Sequence, residues 1–240
     1  MFSVLKKELR AFFSNATGYI VVGIFLTLTG LFLWVIQGEY NVLETGYANL
    51  DGLFYLAPWL FLFLCPAISM RLFAEEKQTG TWELLVTKPI SKPQIVLGKY
   101  LAAWLLVIAA LFPAILYYLS ISYMAEPMGN VDSGAFWGSF IGLIFLAALY
   151  VAIGSFASSL SSNQIVSFVV AVVLSFFFYY GFELTMSFFR SGQSVQVVEQ
   201  LGIHIHYKSM SRGVIDSRDI IYFVLMSGGF LSATIWRVRK

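Results

Sequence analysis

The 240-residue chain is 59% hydrophobic and 18% aromatic, and only 12% of it is charged. Soluble domains carry roughly 25% charged residues, so this chain lacks the polar surface that water demands and is expected to fold in a bilayer. Its net charge of +2, from basic residues that are scattered rather than striped, gives no footprint for nucleic acid.

At the amino terminus Phe2, Leu5, Leu9, Phe12 and Ala16 recur at spacings of three and four, with Lys6, Lys7, Glu8 and Arg10 between them. This spacing predicts an amphipathic helix over 1–16 lying in the membrane interface. The apolar run that follows stays uncharged to Gly38 and leads into QGEYNVLE without a small-residue cleavage site, so it is read as a retained span rather than a signal peptide.

About 20 residues of helix cross a hydrocarbon core of about 30 Å. Uncharged stretches run over 11–38, 52–70, 100–125, 133–182 and 220–236, and the fourth is long enough for two crossings. The cluster SSLSSNQ, Ser158 to Gln164, supplies the turn, because short hydroxyl and amide side chains compete for backbone hydrogen bonds. Six spans are predicted, over about 17–37, 53–71, 99–123, 136–157, 165–188 and 220–236. The fold class is an all-α membrane protein with six transmembrane helices. Cys65, the single cysteine, excludes an intrachain disulfide and sits in the second span.

With both termini on the cytoplasmic side, eleven Lys and Arg fall inside and four outside, Arg190, Lys208, Arg212 and Arg218, all in the 190–219 outer loop. Between spans two and three, RLFAEEKQTGTWELLVTKPISKPQIVLGK gathers eight of the 28 charged side chains. Gly80 breaks the helix leaving span two, and Thr81 is placed to cap a short helix with Glu83 in its first turn. Pro89 ends that helix, and Ser91-Lys92-Pro93-Gln94 fits a capping box for span three. Trp82, Leu84 and Leu85 offer apolar surface at this break.

Near the outer end of span five stands Glu183, an acid at the edge of the membrane and so a candidate functional group, solvated or paired with Arg190. In the outer loop Val197, Val198, Leu201 and Ile205 have the spacing of a helix resting on the outer leaflet. His204 and His206 have no third ligand within the loop, and no metal site is expected there. The chain has no phosphate-cradling G-x-x-x-x-G-K-[ST] loop and no G-x-S-x-G, HExxH or C-x-x-C, so neither nucleotide binding nor catalysis is expected on it.

The loop pattern of Arg71, Phe73, Ala74, Glu75, Glu76, Lys77, Gly80, Thr81, Glu83, Leu84, Leu85, Pro89 and Gly98-Lys99 resembles the first cytoplasmic loop of ABC-2 type transporter permeases. SNATGYIVVGIFLTLTGLFLW, LDGLFYLAPWLFLFLCPAISMR and HYKSMSRGVIDSRDIIYF resemble, more narrowly, the permeases of gliding-motility ABC transporters. The resemblance implies half of an exporter of the bacterial inner membrane, paired with a second permease, its own copy or a relative, and docked on a separate ATPase subunit that holds ATP and Mg. It implies that Thr81 to Thr87 is a coupling helix, with Glu75, Glu76, Gly80, Thr81, Trp82, Glu83, Leu84 and Leu85 as the docking residues and flanks. On this reading Glu75, Glu76 and Glu83 meet basic residues of the ATPase, while Trp82 and Leu85 fill its groove. A non-transporting anchor or regulator of an envelope machine, and a carrier without an ATPase, stay open beside it. The scarcity of interior charge suits an amphiphilic or lipid-linked cargo better than an ion.

Overall fold

A computed structural model of the chain describes residues 1–186 and 200–239, and among these every regular element is helical. In chain order the helices are α1 (Phe2–Phe13), α2 (Ala16–Trp34), α3 (Asp51–Ser69), α4 (Arg71–Gln78), α5 (Thr81–Val86), α6 (Lys92–Leu111), α7 (Ala114–Met124), α8 (Ser133–Leu160) and α9 (Gln164–Phe176). A π-helical turn, Phe177–Gly181, joins α9 to α10 (Phe182–Met186), and α11 (Ile203–Met210) and α12 (Ser217–Arg239) complete the fold.

Among the described residues five helical runs are long and apolar enough to cross a membrane, at Asp51–Gln78, Lys92–Met124, Ser133–Leu160, Gln164–Thr185 and Ser217–Arg239. A sixth counts when α1 and the helix from Gly18 to Trp34, bent by 70°, are taken together. Pro58, Pro66 and Pro113 lie within these runs, and the Phe112 amide still reaches the Ile108 carbonyl at 2.9 Å, so the helical direction survives at Pro113. The 33-residue Lys92–Met124 run is about 50 Å long, well beyond the ~30 Å core. Its first turns, with Lys92 and Lys99, and α4, with Arg71, Glu75, Glu76 and Lys77, carry most of the charge of the Lys92–Met124 and Asp51–Gln78 runs and lie at the end of the bundle that holds both termini.

The bundle is organised around α8. Its apolar window is 78% buried, against 28% for Gln164–Thr185 and 22% for Ser217–Arg239. Close approach rather than water exclusion holds such helices together. A Cβ at Gly154 would run into the Ser69 side chain, so only glycine lets α3 lie this near α8. Several polar groups in this core are met locally or across helices: Ser155 Oγ donates to the Val151 carbonyl at 2.8 Å, Trp104 Nε1 to Ile144 at 3.1 Å and Tyr100 Oη to Ala148 at 3.3 Å.

One expectation changes, and two others gain detail. The SSLSSNQ cluster is only half turn: α8 runs to Leu160, Asn163 caps α9 by accepting from the Ile165 amide at 2.9 Å, and Ser158 and Ser159 are fully buried inside α8. On α1 Phe2 is 78% exposed, whereas Phe12 of the same apolar stripe is buried and Leu9 packs against the core, with Val4 buried beside them where α1 meets α6. The outer-loop helix starts at Ile203 and buries Ile203, Tyr207 and Met210 against the bundle, with Leu201 exposed just ahead of it. Tyr207 Oη donates to the Phe54 carbonyl at 2.7 Å, which pins it there. Val197, Val198 and Arg190 lie outside the described residues.

Candidate functional site

At the termini end, α4, α5 and the start of α6 form a folded hairpin. Gly80 adopts φ +70°, the left-handed conformation that a side chain disfavours, and this turns the chain between α4 and α5. Thr81 is the first residue of α5 rather than its cap; its hydroxyl sits 2.9 Å from that of Thr79. Past Pro89, the Ser91 amide donates to Gln94 Oε1 at 3.2 Å, half of the reciprocal bonding of a capping box, and α6 begins.

The hairpin sorts its side chains into two faces. Glu75, Thr81 and Glu83 are exposed, and Leu84 is 67% exposed, an apolar tip amid polar groups. Leu85 is buried at 6% exposure, and the Trp82 ring packs edge-on against Phe73 with centroids 6.0 Å apart. The expectation that Leu85 enters a partner's groove is therefore corrected: it is buried within the chain and Leu84 is the projecting residue, while the half-buried Trp82 packs on Phe73 of α4. Glu76 is corrected in the same way, because it is buried and already paired within the chain.

Beneath the hairpin lies a charge network that local sequence spacing does not reveal. Lys99 reaches Glu8 Oε1 at 2.8 Å and Glu76 Oε2 at 3.0 Å, with its side chain 1% exposed. Lys7 binds the other Glu76 oxygen at 2.8 Å. Burial disfavours the Lys7 ammonium, but the Glu76 hydrogen bond and the negative charge of Glu76, Glu8 and Glu75 outweigh it and hold its pKa above the ordinary lysine value. The Arg71 guanidinium lies 5.1 Å from the centre of the Phe12 ring, a second tie between α4 and α1.

From the other side α8 grips α4. Ser158 Oγ accepts from the Phe73 and Ala74 amides at 3.0 and 3.2 Å and donates to the Met70 carbonyl at 2.7 Å, satisfying the groups freed where α3 gives way to α4. Lys77 Nζ donates to the Ser159 carbonyl, and Lys92 Nζ to the Val238 carbonyl at 3.1 Å, closing the last turn of α12. The one advance signal was Lys99 itself, a lysine at the head of an otherwise uncharged run, which calls for a buried carboxylate.

At the opposite end Glu183 is 44% exposed and binds His204 Nδ1 through Oε2 at 2.9 Å. His206 Nδ1 is 2.7 Å from Asp219 Oδ1 and stacks on Tyr222 at 3.9 Å between centroids. The two histidines thus serve separate pairs, one to span five and one to α12, and no group of three metal-ligating side chains occurs among the described residues.

Multiple apolar spans around a buried hub, with an ordered charged hairpin at one end, define a multi-pass α-helical membrane protein. The profile described as ABC-2 family transporter protein matches residues 36–192, which include α3 through α10 and the hairpin, and the chain belongs to that family. It is a transmembrane permease component of an ABC transporter. A comparison with curated proteins returns no match.

Proposed function

We propose that the chain transmits ATP hydrolysis by a separate ATPase subunit to its own spans, with the α4–α5 hairpin as the docking element in the cytoplasm and both termini on that side of a bacterial inner membrane. The observation that carries this reading is Leu84, an exposed apolar side chain held at the tip of a short helix beyond the bilayer and flanked by Glu83. A leucine moved from water into a partner's groove contributes about 2 kcal/mol, and flanking acids set register against basic residues of the ATPase.

Movement of the ATPase against α5 has a direct path inward. α5 is bonded to α4 through Trp82 and Phe73, α4 to α8 through Ser158, and α4 to α6 and α1 through Glu76, Lys99 and Lys7. Rigid coupling of this kind turns a partner's displacement into movement of spans rather than of a loop. ATP and Mg belong to the ATPase; the chain contributes the lever. The eleven Lys and Arg gathered at this end support the cytoplasmic placement.

A second permease, identical or related, is proposed to cover the apolar face of α9, where Ile165, Val169 and Val173 are exposed in register. The narrower sequence resemblance supports export or envelope-associated work, gliding motility included, as the output of the assembly.

The test is copurification of the ATPase with tagged full-length chain. Glu83→Lys with Leu84→Asp is expected to lose the ATPase while the chain keeps its melting temperature in detergent. Full recovery of the ATPase with that double variant would remove the hairpin as the docking element.

A further inference from the structure

At the end of the bundle remote from the hairpin, a recess lies between α10 and α11, and neither the fold nor the docking scheme uses it. It has a volume of about 70 Å³ and is lined in part by Tyr179, Glu183, His204 and Lys208. Glu183 is 19 residues beyond Gln164, about 28 Å along span five, which sets it at the edge of a ~30 Å core, the depth of lipid headgroups.

The charges in the recess are of both signs and are incompletely used. His204 takes Oε2 of Glu183 at 2.9 Å, and the described residues offer no partner for Oε1. Lys208 is exposed and forms no ion pair with a described carboxylate. A purely structural His–Glu pair needs neither an adjoining cavity nor a free ammonium beside it.

Tyr179 and His204, which line the recess, belong to a closed circuit of four rings. Trp59 meets Tyr179 at 5.7 Å and Tyr180 at 6.0 Å, and His204 meets the same two at 5.4 and 6.2 Å, with interplanar angles from 55° to 78°. An aromatic ring in the wall of a recess favours a cation, more so next to a carboxylate, and Tyr179 is that ring here. Tyr179 and Tyr180 both belong to the π-helical turn Phe177–Gly181, a local departure from α geometry often found where a helix has been shaped for a ligand.

We propose that this recess binds a phosphoethanolamine-type zwitterion, with Glu183 and the Tyr179 ring taking the primary ammonium and Lys208 the phosphate. The volume admits the ammonium end and leaves the phosphate at the rim, where Lys208 lies. Opposite charges in one recess disfavour an acyl chain or a simple anion. The inference rests on the membrane placement proposed above but not on ATPase docking, so failure of the Leu84 experiment leaves it standing.

The test is native mass spectrometry of the full-length chain released from bilayers of phosphatidylethanolamine and phosphatidylglycerol. The wild type is expected to retain phosphatidylethanolamine at about five-fold its bulk proportion, as one ion pair with a cation–π contact would give. Glu183→Gln and Lys208→Ala are each expected to return the retained lipid to the bulk ratio. Lys208 is exposed, so its variant decides the matter if Glu183→Gln fails to fold. Displacement by millimolar O-phosphoethanolamine identifies a soluble zwitterion as a competent ligand, and resistance to it identifies the lipid headgroup. Bulk-ratio retention by the wild type, or enrichment that survives Lys208→Ala, overturns the proposal.

Discussion

Lys99 sits at 1% exposure between two carboxylates, and removing a partner from such a set leaves the remaining charges with no water to fall back on. Lys99→Met is therefore expected to destabilise the chain by about 3 kcal/mol, seen as a lower melting temperature in detergent. Adding Glu8→Gln and Glu76→Gln to it is expected to recover most of that loss, because the buried charge disappears with the lysine. Gly154 makes a second demand at the same scale. Gly154→Ala forces its methyl against Ser69 and is expected to cost about 2 kcal/mol by thermal unfolding, with partial rescue by Ser69→Gly. Lys99 signalled a buried carboxylate but not which one, and Gly154 gave no signal at all. Glu8 and Lys99 are 91 positions apart, and the contact of Gly154 with Ser69 bridges two spans, so only tertiary packing brings the partners together.

Helices were legible where a local rule governs them. Charge-free length marked the apolar runs, Gly80 marked the turn before α5, and Ser91 to Gln94 marked the start of α6. Orientation about a helix axis was not. α5 has six residues, fewer than two turns, so its sequence holds no periodicity to separate Leu84 from Leu85, and the packing of Trp82 on Phe73 makes that choice. The two leucines accordingly give opposite outcomes. Leu84→Asp is expected to leave the melting temperature unchanged and lose the ATPase, whereas Leu85→Asp is expected to lower the melting temperature before any question of binding arises. The cap at Asn163 is a simpler case: Asn163→Ala is expected to cost about 1 kcal/mol, read by thermal unfolding, since the Ile165 and Val166 amides lose their acceptor.

Over the whole molecule, burial is distributed unevenly, with α8 enclosed and α9 and α12 open along most of their windows. If a second permease covers α9, a cysteine at Val169 is expected to form a disulfide-linked dimer on mild oxidation in membranes, and one at Val224 on α12, also exposed, is not. A cross-link of equal yield at both positions would mean random collision instead.

The central place of α8 bears on the order in which the chain is made. α8 is complete once Leu160 has left the ribosome, yet α12, which packs along it and carries Phe223 against Phe145, is made more than 50 residues later. Until then the most enclosed helix of the finished protein stands in lipid with one side bare. Ser139 and Ser155 lighten that exposure by bonding carbonyls of α8 itself, and a nascent chain arrested before residue 217 is expected to be recognised and degraded as incomplete.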